Sequence, residues 1–169
     1  LLSAVAVHMV AGVTRIVREP KRQLSWRARV HRYAGFFLLL VIGGHVLAVR
    51  GASWFFDTYP GFHGLAFSVD YLPGYFYPYY FLLGLAGFYH GFNGIGIALN
   101  RIRRPGSTRV RQPSGRSLAV ASAAAGLAMF AALLGLGGVL FEVTDVYQSQ
   151  FAALAFDIFG VEPAVARSP

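Results

Sequence analysis

Three histidines interrupt stretches that are otherwise almost free of charge: His8 in Leu1 to Val17, His45 in Tyr33 to Val49, and His90 in Tyr79 to Leu99. An imidazole can ligate a metal through either ring nitrogen, carry a proton, or hydrogen-bond to a neighbouring helix. Inside an apolar helix such a group is costly, and it usually faces the bundle interior where it has a task. The plainer reading of each is a neutral histidine bonded across helices. Depth separates the two. His8 stands seven residues before Arg15 and His90 eleven before Arg101, about 10 Å and about 16 Å from that boundary at a helical rise of about 1.5 Å. The two therefore lie at similar depth on different helices. His45, five residues before Arg50 and thirteen after Arg32, lies in the opposite half.

Two histidines at one depth on two helices can supply both axial ligands of a haem iron, and a bis-histidine haem has no open position and carries electrons. Each has a glycine four residues later, Gly12 after His8 and Gly94 after His90. Positions i and i+4 share a helix face, so a residue without a side chain leaves room there for a flat macrocycle. Small residues at that spacing also serve plain helix packing, and His31 with Gly35 repeats the spacing at the layer's edge. The chain has no cysteine, so no thiolate-held cluster can be built from it.

The elements that must position these groups are apolar runs. Hydrophobic residues make up 56% of the 169 and charged residues only 13%, far from the balance of a soluble domain. We expect an all-α integral membrane protein with four transmembrane helices in an up-down bundle, at about 1–17, 29–50, 75–101 and 117–141. Thirteen of the fifteen basic residues lie between Arg15 and Arg32 or between Arg101 and Arg116, which places those loops on the inner side. The net charge of +8 thus belongs to membrane loops, and nucleic acid is not an expected partner. Segment 51–74 and the tail 142–169 hold six of the seven acidic residues and belong outside. Trp54 to Phe67, broken by Pro60, Gly61 and Gly64, is expected on the membrane surface, and Val143 to Phe159 as an interfacial helix. Trp26 at the inner edge and Trp54, Tyr59, Tyr71, Tyr75, Tyr77, Tyr79 and Tyr80 at the outer one form aromatic belts. The first run is short on its N-terminal side, so a further helix is expected, from the same precursor or another chain.

In order along the chain stand His8-x-x-x-Gly12, a basic loop, Arg32-x-x-Gly35 opening the next helix, His45 near its far end, and Phe88-Tyr-His-Gly-Phe-Asn-Gly-Ile95. This series resembles the five-helix cytochrome b anchor subunit of succinate dehydrogenases and fumarate reductases. It covers that family's second to fifth helices, from Leu1 to Phe141, and lacks its first. The resemblance implies that His8 and His90 ligate the haem b nearer an iron–sulfur subunit. It implies further that His45 ligates an outer haem together with a histidine of the missing helix. This chain holds no such partner, so one haem follows from it alone, and a second requires a ligand from another polypeptide.

The implied function is electron passage between an iron–sulfur subunit and membrane quinone, with the flavoprotein subunit carrying succinate or fumarate chemistry. The chain itself is then a quinone-site or non-catalytic subunit in a bacterial cytoplasmic or mitochondrial inner membrane. His31 and Arg32, at the inner edge, would hold a haem propionate, line a quinone site, or meet lipid phosphate. His63, near Asp57 and Asp70, reads as a surface histidine or a proton exchanger for quinone. Alternatives are a cytochrome b of a hydrogenase or formate dehydrogenase and a haemless anchor. A transporter is disfavoured because no acidic residue lies in any apolar run.

Overall fold

The computed structural model describes residues 2–18, 24–103 and 114–160. The basic residues Lys21, Arg22, Arg104, Arg109 and Arg111, and Glu162 of the tail, lie outside the described residues. Every regular element described is helical: α1 (Leu2–Arg18), α2 (Trp26–Phe56), α3 (Gly61–Tyr71), α4 (Pro73–Arg103), α5 (Gly115–Leu136), a 3₁₀ turn (Val146–Gln148) and α6 (Gln150–Phe159). Serines start three of them: Ser25, Ser114 and Ser149 each accept a hydrogen bond from a backbone N–H of the first turn, satisfying a donor that has no intrahelical partner.

Among the described residues three helices, α2, α4 as far as Asn100, and α5, are long and apolar enough to cross a membrane. The chain is thus compatible with an integral membrane protein. The 17 residues of α1 reach about 25 Å, short of a hydrocarbon core of about 30 Å. Most of the long helices' surface is open in the isolated chain, as expected where lipid, and not water, is the solvent.

Side-chain register makes α2, α4 and α5 alternately antiparallel. Along α2, Arg27, His31 and His45 meet Asn93, His90 and Tyr79 of α4 in descending order. Along α4, Phe81 and Leu85 meet Phe130 and Gly126 of α5. Close approach on that second seam depends on small residues: Met129 lies where a Cβ on Gly84 would be, and Leu85 Cδ1 is 3.5 Å from the corresponding position on Gly126. The described basic residues of α2, α4 and α5, apart from Arg50, thereby gather at one end, while Asp57, Asp70, Glu142, Asp145 and Asp157 lie at the other.

Element boundaries depart from the expectation where charge was taken as a helix limit. Helix α2 runs past Arg50 to Phe56, because Arg50 Nη1 donates to the Tyr59 hydroxyl at 2.7 Å and sits among aromatic groups. It stops at Asp57, whose left-handed backbone (φ 49°) lets Thr58 N–H return to the Ala52 carbonyl at 3.1 Å. Helix α5 ends at Leu136, where Gly137 lies so tightly against the Tyr77 hydroxyl that no side chain fits. Helix α3 is more than a surface segment. It buries Gly64, Ala66, Phe67, Ser68 and Val69 and packs Phe67 with Ala152 and Phe156 of α6, so that the tail is folded back as a cap over the acidic end. The Tyr147 hydroxyl donates to Asp70 Oδ2 in the same cap.

Candidate functional site

At the α2–α4 seam a group of polar side chains lies within the first two turns of α2. Arg27, His31 and Gly35 recur at i, i+4 and i+8 on α2, and His90, Asn93 and Gly94 at i, i+3 and i+4 on α4, so each set forms a single stripe. Arg27 donates to Asn93 Oδ1 through Nε at 3.1 Å and Nη2 at 2.9 Å. Asn93 is 0% exposed. The backbone carbonyl of Arg27 accepts from the Tyr89 hydroxyl at 3.4 Å. A guanidinium at this level is tolerated because its charge is met by a fork of two hydrogen bonds.

Next along the seam, the rings of His31 and His90 stack at 4.1 Å and 6°. His90 Nδ1 lies 3.2 Å from the His31 carbonyl oxygen. A carbonyl only accepts, so Nδ1 must carry the proton, and the neutral ring then presents a lone pair at Nε2. This is the arrangement by which an outer hydrogen bond orients a metal-binding imidazole. Gly35 makes it possible: a Cβ there would lie 2.9 Å from His90 Cε1.

Helix α1 stands off from this seam, making almost no backbone contact with other elements. Its exposed His8 nevertheless meets His90, with ring centroids 5.9 Å apart and planes at 82°. Two imidazoles sharing one metal through bonds of about 2 Å would have centroids about 6 Å apart, a spacing this pair matches. Gly12 has nothing within 4 Å of an added Cβ, and Gly94 only His31 Cε1 at 3.9 Å, leaving both flanks open. His31 Nδ1 and Asn93 Nδ2 are buried without a hydrogen-bond partner, and polar atoms in that state call for a ligand or water. Among the described residues no three or more His, Asp or Glu side chains form a metal-holding group; a bis-histidine haem site needs only two protein ligands.

His31, expected at the layer's edge, thus lies level with His90. Arg27, the second residue of α2, pairs with Asn93, ten residues short of the end of α4, so α4 projects about 15 Å beyond the start of α2. Arg32, half-buried, follows on the next turn face. His45 is separate: it lies fourteen residues from His31 along α2, about 21 Å, with Nδ1 3.3 Å from the Tyr79 hydroxyl. His63 is exposed and edge-on to Phe62, while Asp70 is engaged by Tyr147. Sequence reasoning missed Arg27 and Asn93 as a pair, although Arg27 is four residues before His31 and Asn93 three after His90, on the stripes those histidines define.

No family model, no curated protein and no solved structure matches this chain. The candidate site therefore rests on its own geometry. One consequence concerns Gly35. The atom a Cβ would strike is the tip of a movable ring, so Gly35→Ala should leave the helices packed while turning His90 away from the His31 carbonyl. Nitrogen NMR of histidine-labelled protein should show the fixed Nδ1–H tautomer of His90 replaced by an exchanging mixture. An unchanged tautomer would mean that the hydrogen bond does not depend on the close approach.

Proposed function

We propose that this chain is a haem b-carrying, quinone-reactive membrane anchor of the succinate dehydrogenase and fumarate reductase type. The observation that carries the reading is the meeting of His8 and His90 across a gap between α1 and α4, with His90 Nδ1 committed to the His31 carbonyl. A haem bound there supplies one-electron transfer at a potential set by its axial ligands and surroundings. The chain's residues do the holding. His8 and His90 would hold the iron through one ring nitrogen each, the His31 carbonyl keeps the His90 proton away from Nε2, and Gly12 and Gly94 leave the flanks clear. Arg27, held by Asn93, provides positive charge at the inner rim, where His31 and Arg32 would also face carboxylates of the bound group. A haemless anchor would account for the His31–His90 stack but gives His8 no purpose.

In this reading α1 is a fourth span, the basic end faces inward, and the acidic cap of α3 and α6 faces outward. Iron–sulfur and flavoprotein subunits dock on the basic end. A further transmembrane helix covers the outer faces of α1 and α2, where Val7 and Leu40 are 69% and 81% exposed. A second haem at His45 would need its other ligand from that helix.

Purification of the intact complex tests this directly. A succinate- or fumarate-active flavoprotein and an iron–sulfur protein should accompany the chain, with a reduced-minus-oxidised spectrum of low-spin haem b. Crosslinks from the soluble subunits should map to Arg15–Arg32 and Arg101–Arg116. Hydrogenase or formate dehydrogenase subunits in their place would assign the chain to another cytochrome b group. Crosslinks confined to Arg50–Gly74 would reverse the docking face.

A further inference from the structure

Arg50 stands away from the basic end, among Asp57, Asp70, Glu142, Asp145 and Asp157, yet among the described residues it forms an ion pair with none of them. Its guanidinium instead donates from Nη1 to the Tyr59 hydroxyl at 2.7 Å and lies 5.9 Å from the centroid of that ring. An arginine only donates, so the Tyr59 oxygen is the acceptor and its own O–H is turned elsewhere. Among the described residues nothing takes that proton or the other guanidinium N–H groups. Trp54, one turn past Arg50, adds an indole N–H. The cluster therefore carries donors and no spare negative charge, which is the makeup of an anion site.

Depth and exposure say which anion. Leu47, Arg50 and Trp54 recur at i, i+3 and i+7, so they share one face of α2, and all three are exposed. Trp54 follows Trp26 by 28 residues of the same helix, about 42 Å. A bilayer with its headgroup layers is about 40–45 Å thick, so each tryptophan falls in one of those layers. Arg50, one turn inside Trp54, then lies at the level of lipid phosphate, with the apolar Leu47 beneath it. A phosphodiester is an acceptor-only anion that a guanidinium can hold through two N–H groups. The carboxylates at this end repel a headgroup of net negative charge and favour one that also carries an ammonium. Asp57, exposed, caps α2 seven residues past Arg50 on the same face.

We propose that Arg50, Tyr59 and Trp54 form a binding site for an aminophospholipid in the leaflet at the acidic end, its phosphate accepting from Arg50 and Tyr59, its ammonium directed to Asp57 and an acyl chain lying along Leu47. The site requires α2 to cross a bilayer and nothing of the haem or quinone reading. The further helix proposed above meets α2 near its middle, at Leu40, ten residues before Arg50.

Native mass spectrometry of the purified complex, titrated in mild detergent with dioleoylphosphatidylethanolamine or dioleoylphosphatidylglycerol, tests the site. One ethanolamine lipid per chain should bind above the background of loose adducts, and more tightly than the glycerol lipid. Arg50→Gln should weaken that binding about tenfold and Tyr59→Phe about threefold, whereas Arg50→Lys, which keeps the charge but not the planar fork, should recover part of the loss. Asp57→Asn should leave binding in place and abolish the preference for ethanolamine. In cells, a photoreactive side chain at Leu47 should label lipid. Equal lipid retention in the wild-type, Arg50→Gln and Tyr59→Phe complexes would overturn the site. A preference for the glycerol lipid, unchanged in Asp57→Asn, would overturn the aminophospholipid assignment, and a polypeptide adduct at Leu47 would give this face to a protein instead.

Discussion

Complexes carrying His90→Ala or His8→Ala should contain no low-spin haem b at this level, while the chain still inserts and assembles. In the proposed reading each histidine would supply one of the iron's two protein ligands, so losing either would leave a single one. The effect should be complete because the rings already meet at 5.9 Å and no third side chain forms a metal-holding group with them among the described residues. His31→Ala is the informative control. His31 acts on His90 through its backbone carbonyl, which alanine retains, and its stacked ring is not placed as a ligand. Haem content should therefore persist in that variant, with a shifted potential. Optical spectra and iron-to-protein ratios measure all three. Undiminished haem in both the His8 and His90 variants would falsify the axial pair.

The second large effect is expected at Arg27 and Asn93. Arg27→Met removes both donors to Asn93 Oδ1 and leaves a fully buried amide short of partners, since its Nδ2 already has none. A buried polar group stripped of a charged partner costs about 2–3 kcal/mol. Asn93→Leu leaves the guanidinium without its fork and should cost a similar amount. The double variant replaces both partners by apolar groups and should lose less than the sum, with a coupling of about 1–2 kcal/mol. Reversible unfolding in mixed micelles gives these values. Strict additivity would show that the two side chains do not support one another.

What the sequence determined alone was local. Apolar runs of sufficient length must be helical in a bilayer, because every backbone polar group has to be satisfied within its own segment. The rise per residue then places His8 and His90 at comparable depth from charged boundaries, without knowledge of how the helices pack. The clustering of arginines at alternate loops orders the ends in the same way. Tertiary structure alone decided the register between helices, which depends on side chains far apart in the chain. Arg27 reads as a boundary marker by its charge, yet its contact with Asn93 draws the start of α2 inward and carries His31 to the level of His90. Arg50 likewise fails to end α2, because Tyr59 receives its guanidinium. The proton position at His90 follows from the same cause: the His31 carbonyl opposite Nδ1 fixes the ring proton there and leaves the lone pair on Nε2, and only packing brings that carbonyl into place.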